Sequence, residues 1–258
     1  KSFYYGGDLN FGNMNSFFRQ GGMTELIDEN QFAASDQNSK WGVHDHIVFE
    51  RLKEDLSAET EVPFFKTIFT LSSHEPFEFP GEYKFGNDSE INSFRSAHAY
   101  TDAAVGDFVQ WCKDQSWWDN TLLIITADHG HKLPQHEGPF NGPLKYQVPM
   151  LWLGGALKSE PVMVDHICSQ IDLPYSLLLL LGADVTGFDW SHNVLIESPE
   201  HFAHYIYNKG FGTINESGFI VYDYVSDRII AQEAEEGDGL LDLGLSITQT
   251  AYQDFVER

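Results

Sequence analysis

Strand-like and helix-like segments alternate along the first 182 residues, and this alternation restricts the fold more than any other feature. The run Thr121–Ala127 is continuously apolar, which is typical of a parallel strand covered on both faces. Apolar residues recur at helical spacing over Asp45–Leu56 and Phe94–Trp111. The pattern predicts an α/β fold with a central, mostly parallel sheet flanked by helices. Further strands are predicted over Ser2–Tyr5, Phe64–Leu71 and Val148–Leu153, and further helices within Asp8–Gly22 and over Val164–Leu181.

The pattern changes after Pro199, where short strand-like runs are separated by Gly, Asn and Asp. Such close spacing predicts a small antiparallel meander, followed by a last helix near Ser246–Val256. The acidic stretch Glu233–Asp242 is interpreted as a solvated loop. We therefore expect two parts, residues 1–198 and a small antiparallel subdomain with a terminal helix over residues 199–258. The strands expected in the second part are Phe202–Asn208, Gly212–Asn215, Phe219–Tyr224 and Arg228–Glu233.

The net charge of −24, from 39 acidic and 15 basic residues, argues against two classes of function. Binding to nucleic-acid backbones and anchoring on anionic lipid both depend on Lys and Arg. The longest apolar run, Leu177–Leu181, is too short to span a bilayer. Two cysteines, Cys112 and Cys168, are too few for a disulfide-stapled mini-domain. Buried free thiols are the favoured interpretation, and whether the two pair is left open.

An Asp-His-Gly sequence directly follows the predicted strand Thr121–Ala127. Ligands of open α/β sheets bind beyond the carboxyl ends of strands, and Gly130 permits the turn that lets Asp128 and His129 converge. A carboxylate and an imidazole together form half of a divalent-metal site. The alternative is an Asp that caps a helix and a His at the surface.

Ordered motifs over roughly residues 1–185 carry a family resemblance. The chain resembles the sulfatase branch of the alkaline phosphatase superfamily and, within it, the extracellular domain of lipoteichoic acid synthases and their Gram-negative relatives. The segments similar to the branch as a whole are Trp117–Gly130, Tyr146–Trp152 and Gln170–Pro174, and those similar to the synthases are Phe3–Asp8, Asn13-Met14 and Thr70–Phe77.

The resemblance implies an alkaline phosphatase/sulfatase-like fold and a metal-dependent phosphoglycerol transferase. In that family one divalent ion, usually Mn²⁺, is bound by an Asp-His pair, an upstream Glu and an upstream nucleophilic Thr; Mg²⁺, Ca²⁺ and Zn²⁺ are further candidates. Asp128 and His129 match the metal pair, and His74 matches the histidine that binds the substrate phosphate. The chemistry is sound, because a metal activates a hydroxyl nucleophile and neutralises charge on phosphoryl oxygens.

Two departures from the family pattern bear on the site. No residue here matches the Glu ligand or the Thr nucleophile, which the family places before the segment corresponding to Ser2–Gly7. The chain is therefore expected to be the C-terminal portion of the catalytic domain, with the nucleophile and a membrane tether in a missing N-terminal region. Gly12 and Met14 stand where the Gram-positive synthases carry a Trp and an Arg for glycerophosphate, which implies a substrate other than polyglycerolphosphate lipid.

Other side chains are candidates for substrate contact. His131 and His136 lie in the loop after the metal pair, where they could contact substrate or a second metal; a mobile polar loop is the alternative. Trp41 could pack on a glycerol or sugar, although packing in the core or at its rim is favoured. Five histidines and two aspartates are interpreted as structural, surface or capping groups: His98, His166, His192, His201, His204, Asp102 and Asp172.

These features predict a phosphoglycerol (phosphodiester) transferase of the cell envelope, acting on an anionic phospholipid or on a glycerophosphate or sulfate ester. The resemblance places such domains at the extracytoplasmic face of the cell membrane, either periplasmic or extracellular. The enzymatic alternatives are a sulfuric-ester hydrolase and a phosphoethanolamine transferase. The alternative from another class is a non-catalytic domain that binds an anionic envelope polymer. The residue at the nucleophile position would distinguish these classes.

Overall fold

The structure, a computed structural model, describes residues 1–59, 62–134, 138–198, 201–234 and 238–257. They form two compact units, each with its own hydrophobic core. Unit 1 falls within Lys1–Leu123, Leu133–Gln135 and Leu153–Leu157, and unit 2 falls within Ile124–Lys132, His136–Trp152 and Lys158–Arg258.

Unit 1 is built on a three-stranded sheet of β1 (Ser2–Tyr5), β2 (Glu25–Ile27) and β3 (Lys66–Phe69). Both neighbours of β1 run parallel to it, in the order β2-β1-β3. The strands predicted over Ser2–Tyr5 and within Phe64–Leu71 are confirmed. The sequence did not indicate β2, because three residues are too few to show a period.

Helices cover both faces of this sheet. They are α1 (Met14–Gln20), α2 (Asp45–Ala58) and α3 (Glu90–Lys113). Side chains alternate along β1, so Tyr4 packs with α2 and α3 in one cluster, while Phe3 and Tyr5 belong to another. The ring of Phe18, from α1, stacks on Phe3 with the centroids 3.8 Å apart. A parallel sheet with helices on both faces is the α/β architecture that the sequence predicts.

Two further strands, β4 (Leu123–Thr126) and β5 (Met150–Leu153), pair with each other in a two-stranded sheet. The strands predicted over Thr121–Ala127 and Val148–Leu153 are therefore present. The side chains of β4 are half-buried or exposed rather than covered on both faces, since a pair of strands offers fewer neighbours than a wide sheet.

The next helix is shorter than the sequence predicts. α4 spans Asp172–Leu180, whereas apolar spacing extended the prediction back to Val164. The preceding backbone N–H groups bond to side chains instead of to a helix: Ile167 N–H donates to Glu216 Oε1 at 3.2 Å, and Ser169 N–H donates to Asp172 Oδ2 at 2.7 Å. Local side-chain acceptors of this kind compete with helix formation.

The C-terminal region of unit 2 is the expected antiparallel meander with a terminal helix. Its strands are β6 (Ala203–Tyr207), β7 (Gly210–Asn215), β8 (Gly218–Asp223) and β9 (Arg228–Gln232), joined in sequence order. α5 (Leu240–Glu257) begins six residues before the predicted Ser246, so the end of the acidic stretch is helical. Leu240 of α5 packs with Phe211 and Ile220 in the core of this region.

Both cysteines are free thiols; Cys112 is buried in unit 1 and Cys168 is half-buried in unit 2. Burial raises the pKa of the Cys112 thiol to about 12. Across the described residues, none of the helices combines the length and the apolar character needed to cross a bilayer.

Candidate active site

Asp128 and His129 form a converging pair in the turn after β4, in unit 2. His129 Nε2 lies 3.4 Å from Asp128 Oδ2, and both side chains are more than half exposed, at 69% and 52%. His129 Nδ1 contacts the Gly130 carbonyl oxygen at 2.8 Å, which assigns the Nδ1 proton to that bond in the neutral ring. A neutral His129 therefore offers its Nε2 lone pair on the side of the Asp128 carboxylate.

The separation of these two atoms fits one divalent ion. An ion about 2.1 Å from each of two tetrahedral ligands sets the ligand atoms about 3.4 Å apart, and an octahedral ion sets them about 3.0 Å apart. The 3.4 Å between Asp128 Oδ2 and His129 Nε2 matches the tetrahedral value, and the two atoms would have to move slightly closer for an octahedral ion. Within the part of the chain that the structure describes, no group of three or more His, Cys, Asp or Glu side chains is placed to hold a metal. Within the described residues, the pair therefore presents two converging ligand-type atoms and no third.

The turn that carries the pair is fixed by close packing. A Cβ atom on Gly130 would lie 2.0 Å from the Lys145 carbonyl oxygen, so only glycine allows this approach. Thr126 Oγ1 donates to the Pro149 carbonyl at 3.0 Å. The Gln170 amide donates to the Ala127 carbonyl at 2.6 Å. The sequence marked Gly130, but it gave no functional sign of Gln170 beyond its place in a family motif.

His74 and Trp41 lie together in unit 1, at the carboxyl end of the parallel sheet. The Glu75 carbonyl oxygen accepts from Trp41 Nε1 at 2.5 Å and is 2.8 Å from His74 Nδ1. The two rings meet edge to face with their centroids 5.1 Å apart. His74 is exposed and Trp41 is 37% exposed, so Trp41 lies at the rim rather than in the core. His74 Nε2 is the nitrogen left for a ligand.

Asp45 fixes the loop that carries His74, and the sequence did not single it out for this role. Its carboxylate is buried and accepts from Leu71 N–H at 2.6 Å and from Ser72 N–H at 3.1 Å. Thr101, from α3, donates its hydroxyl to the same carboxylate at 2.8 Å. One buried charge thus ties the start of α2, the end of β3 and α3 together.

His44 and His46 flank Asp45; His44 contacts the same loop, and His46 contacts α3. His44 Nδ1 lies 3.4 Å from Ser72 Oγ, and burial followed by the nearby His46 lowers the pKa of His44. His46 Nδ1 contacts the Tyr100 hydroxyl, whose pKa burial raises to about 12. These contacts give the two histidines a packing role beside the loop.

The other predicted substrate contacts are less well defined. His131 is half-buried, and His136 lies outside the described residues. Gly12 is exposed in a short turn, and Met14 packs against the cluster of Phe3. Neither offers the charge that an Arg would bring to a phosphate.

Asp172 is buried rather than at the surface, which corrects half of its prediction. It accepts from Ser169 N–H at 2.7 Å and from His192 N–H at 2.7 Å, neither of which belongs to α4, so Asp172 does not cap that helix either. The His192 ring is 5.4 Å from the His201 ring, and among the described residues the buried His201 Nδ1 has no hydrogen-bond partner. The interpretation of these histidines as structural stays a prediction.

Comparison with known proteins assigns the family. The sequence profile described as Sulfatase matches residues 1–183, which is most of the chain. This chain belongs to the sulfatase family. Its match in structure to a protein of the alkaline phosphatase superfamily from Vibrio parahaemolyticus has a TM-score of 0.79 at 28% identity and covers 98% of this chain and 65% of that one. The α/β fold is therefore the fold of that superfamily.

Two relatives show which members of this family the chain is similar to. The chain is 22% identical over 251 residues to the lipoteichoic acid synthase-like protein YvgJ of Bacillus subtilis, a match that covers 90% of this chain and 39% of that protein. It is 27% identical over 201 residues to phosphoglycerol transferase I of Xanthomonas campestris, with coverage of 73% and 28%. The sulfatase-family chain thus spans less than two fifths of these relatives' lengths.

Proposed function

We propose that this chain is the metal-binding part of an enzyme that transfers phosphoglycerol in the cell envelope. The observation that carries the proposal is the convergence of Asp128 Oδ2 and His129 Nε2, at a separation that one divalent ion fits. The relatives named a lipoteichoic acid synthase-like protein and a phosphoglycerol transferase support the substrate class. We place the enzyme at the extracytoplasmic face of the membrane, with its tether outside these 258 residues.

The reaction proposed is a double displacement at phosphorus. A threonine oxygen forms a bond to the phosphorus of a phosphoglycerol lipid, the bond from phosphorus to the lipid alcohol breaks, and that alcohol takes up a proton. The oxygen of an acceptor hydroxyl then forms a bond to the phosphorus of the phosphoglyceryl-threonine, the bond from phosphorus to the threonine oxygen breaks, and the proton that the acceptor loses goes to the threonine. We assign the threonine and an acidic metal ligand to polypeptide outside this sequence, because no residue here matches them.

Asp128 and His129 would hold the ion, which when bound activates the hydroxyl nucleophile and offsets charge on the phosphoryl oxygens. One carboxylate and one imidazole suit Mn²⁺ or Zn²⁺ better than Ca²⁺, which prefers oxygen ligands throughout. We propose Mn²⁺ as the first ion to test and Zn²⁺ as the second. The substrate is then an anionic phospholipid or a related glycerophosphate ester.

His74 and Trp41 are assigned to the substrate. His74 Nδ1 lies 2.8 Å from the Glu75 carbonyl oxygen, which leaves Nε2 as the ring nitrogen for a hydrogen bond to a phosphate oxygen. The exposed part of the Trp41 indole offers an apolar surface for glycerol carbons. His131 is a further candidate for this role, as is His136, whose surroundings the described residues do not include.

Activity can be tested on the longest translation product that contains this chain. We expect Mn²⁺-dependent release of diacylglycerol from phosphatidylglycerol, and loss of that release in Asp128→Ala. His74→Ala should lower turnover while it leaves metal content unchanged, which separates the two roles. Asp102→Ala, an exposed site on α3, serves as the matched control. Metal-independent release that Asp128→Ala retains would contradict the proposal.

A sulfuric-ester hydrolase is the second candidate, favoured by the Sulfatase profile over residues 1–183. The same metal pair could serve either ester, since sulfate and phosphate both present anionic oxygens to the ion. An aryl sulfate offered in the same assay distinguishes them: hydrolysis of the sulfate without release from phosphatidylglycerol would favour the hydrolase. Polymer binding without turnover of either ester would favour a non-catalytic domain, and turnover of phosphatidylethanolamine a phosphoethanolamine transferase.

A further inference from the structure

We propose that Gln170 is a positioning residue for the metal pair, an inference that rests on the proposed function. Its side-chain amide donates to two consecutive carbonyl oxygens, those of Ala127 at 2.6 Å and Asp128 at 3.3 Å. These carbonyls belong to the turn that presents Asp128 and His129. The Gln170 side chain therefore bonds to the backbone from which the Asp128 carboxylate and the His129 ring project.

The peptide between Asp128 and His129 is held from both of its ends. Its carbonyl oxygen, that of Asp128, accepts from the Gln170 amide. Its N–H, that of His129, donates to Asp128 Oδ1 at 2.9 Å. With Oδ1 occupied in this way, Oδ2 is the carboxylate oxygen that lies 3.4 Å from His129 Nε2. The orientation of one peptide plane thus determines whether the two ligand atoms converge.

The donor itself stands on a fixed segment. Gln170 lies between Ser169, whose N–H donates to the buried Asp172 carboxylate at 2.7 Å, and the first turn of α4. Asp172 is 3% exposed and also accepts from the His192 N–H at 2.7 Å. The backbone of this segment is therefore anchored, and the amide of Gln170 reaches the turn from a defined position.

Pre-organisation of ligands predicts a specific consequence for metal binding. Without the Gln170 amide, the peptide between Asp128 and His129 can rotate, and the two ligand atoms can separate. Part of the binding free energy of the ion is then used to bring them together again. Loss of groups that orient metal ligands typically weakens affinity about 10- to 100-fold. Gln170 is exposed, so the fold itself should depend little on its hydrogen bonds.

Gln170→Met tests this role, because methionine keeps the length of the side chain and removes the donor. Mn²⁺ is titrated into the purified 258-residue chain, and binding is followed by the relaxation rate of water protons. We expect about tenfold weaker Mn²⁺ affinity in Gln170→Met, with the midpoint of thermal unfolding unchanged. Gln249→Met, an exposed substitution on α5, should bind as the unmodified chain does. Gln170→Asn, whose amide falls one methylene short, replaces Gln170→Met if that variant does not fold.

The outcomes separate this inference from the proposed function. Asp128→Ala should abolish the Mn²⁺ binding that the unmodified chain shows. If it does, and Gln170→Met binds within twofold of the unmodified chain, the positioning role is wrong while the metal pair stands. If Asp128→Ala binds Mn²⁺ as well as the unmodified chain does, both the metal pair and the role of Gln170 are overturned.

Discussion

Replacing Asp45 with alanine should destabilise unit 1 more than any surface change in it. The Asp45 side chain is 1% exposed and holds three donors from two elements: the N–H groups of Leu71 and Ser72 after β3, and the hydroxyl of Thr101 on α3. Asp45→Ala leaves all three without this acceptor in a buried position. The loop that presents His74 loses its anchor at the same time.

The magnitude follows from the number and kind of bonds lost. A buried donor left unsatisfied costs about 1–3 kcal/mol, and Asp45→Ala leaves three such donors without their acceptor. We expect Asp45→Ala to lower the free energy of unfolding by about 4 kcal/mol, near the lower end of that sum. Asp45→Asn retains one oxygen for the backbone donors, and the Thr101 hydroxyl can reverse its role, so its loss should be about 1–2 kcal/mol.

Urea denaturation followed by tryptophan fluorescence measures these differences. Asp102→Ala is the matched control, because Asp102 is an exposed aspartate next to Thr101 on α3 and should change stability by less than about 0.5 kcal/mol. The reasoning would be refuted if Asp45→Ala and Asp102→Ala unfolded at the same urea concentration. An Asp45→Asn variant less stable than Asp45→Ala would also contradict it, since the amide should replace part of the network.

Three further outcomes follow from single side chains. Burial lowers the pKa of His204 to about 4. The stability that the neutral His204 contributes is therefore complete above the unfolded pKa of about 6.5 and is lost as the pH falls toward 4. His204→Gln should flatten the pH dependence of the free energy of unfolding between those two values. Gly130→Ala should abolish Mn²⁺ binding, because its Cβ would meet the Lys145 carbonyl at 2.0 Å; unchanged binding by titration would contradict this. Cys112, with its thiol pKa raised to about 12 by burial, should not react with a disulfide reagent at pH 8 until urea unfolds the chain. Rapid labelling of Cys112 in the folded chain, distinguished from Cys168 by peptide mass, would be the contrary result.

Elements with several periods of apolar patterning could be predicted from the sequence. α2 and α3 each bury one stripe of apolar residues, so the spacing of those residues predicted both helices, and the observed bounds include the predicted ones. Elements without such a pattern could not be predicted. β2, for example, has three residues, and its place in the sheet depends on pairing with β1. The helix predicted over Val164–Leu181 begins only at Asp172, because side chains such as Glu216 accept from backbone N–H groups of the segment before it, a tertiary effect with no local sign in the sequence.

The same distinction separates the residues of the candidate site that the sequence predicted from those that it did not. Asp128, His129 and His74 follow strands and carry family motifs, so their positions were open to prediction. Asp45 and Gln170 act through hydrogen bonds to backbone atoms 26 and 43 residues away, and no spacing rule marks a contact of that length. The roles assigned to all five stay predictions until metal and substrate are measured.

The most direct test of the metal pair is anomalous diffraction from crystals of this chain soaked in Mn²⁺, with data collected at the manganese absorption edge. We expect one anomalous peak about 2.1 Å from both Asp128 Oδ2 and His129 Nε2, and no peak there in crystals of Asp128→Ala. A peak bound by other residues, with Asp128 and His129 free of metal, would contradict the account.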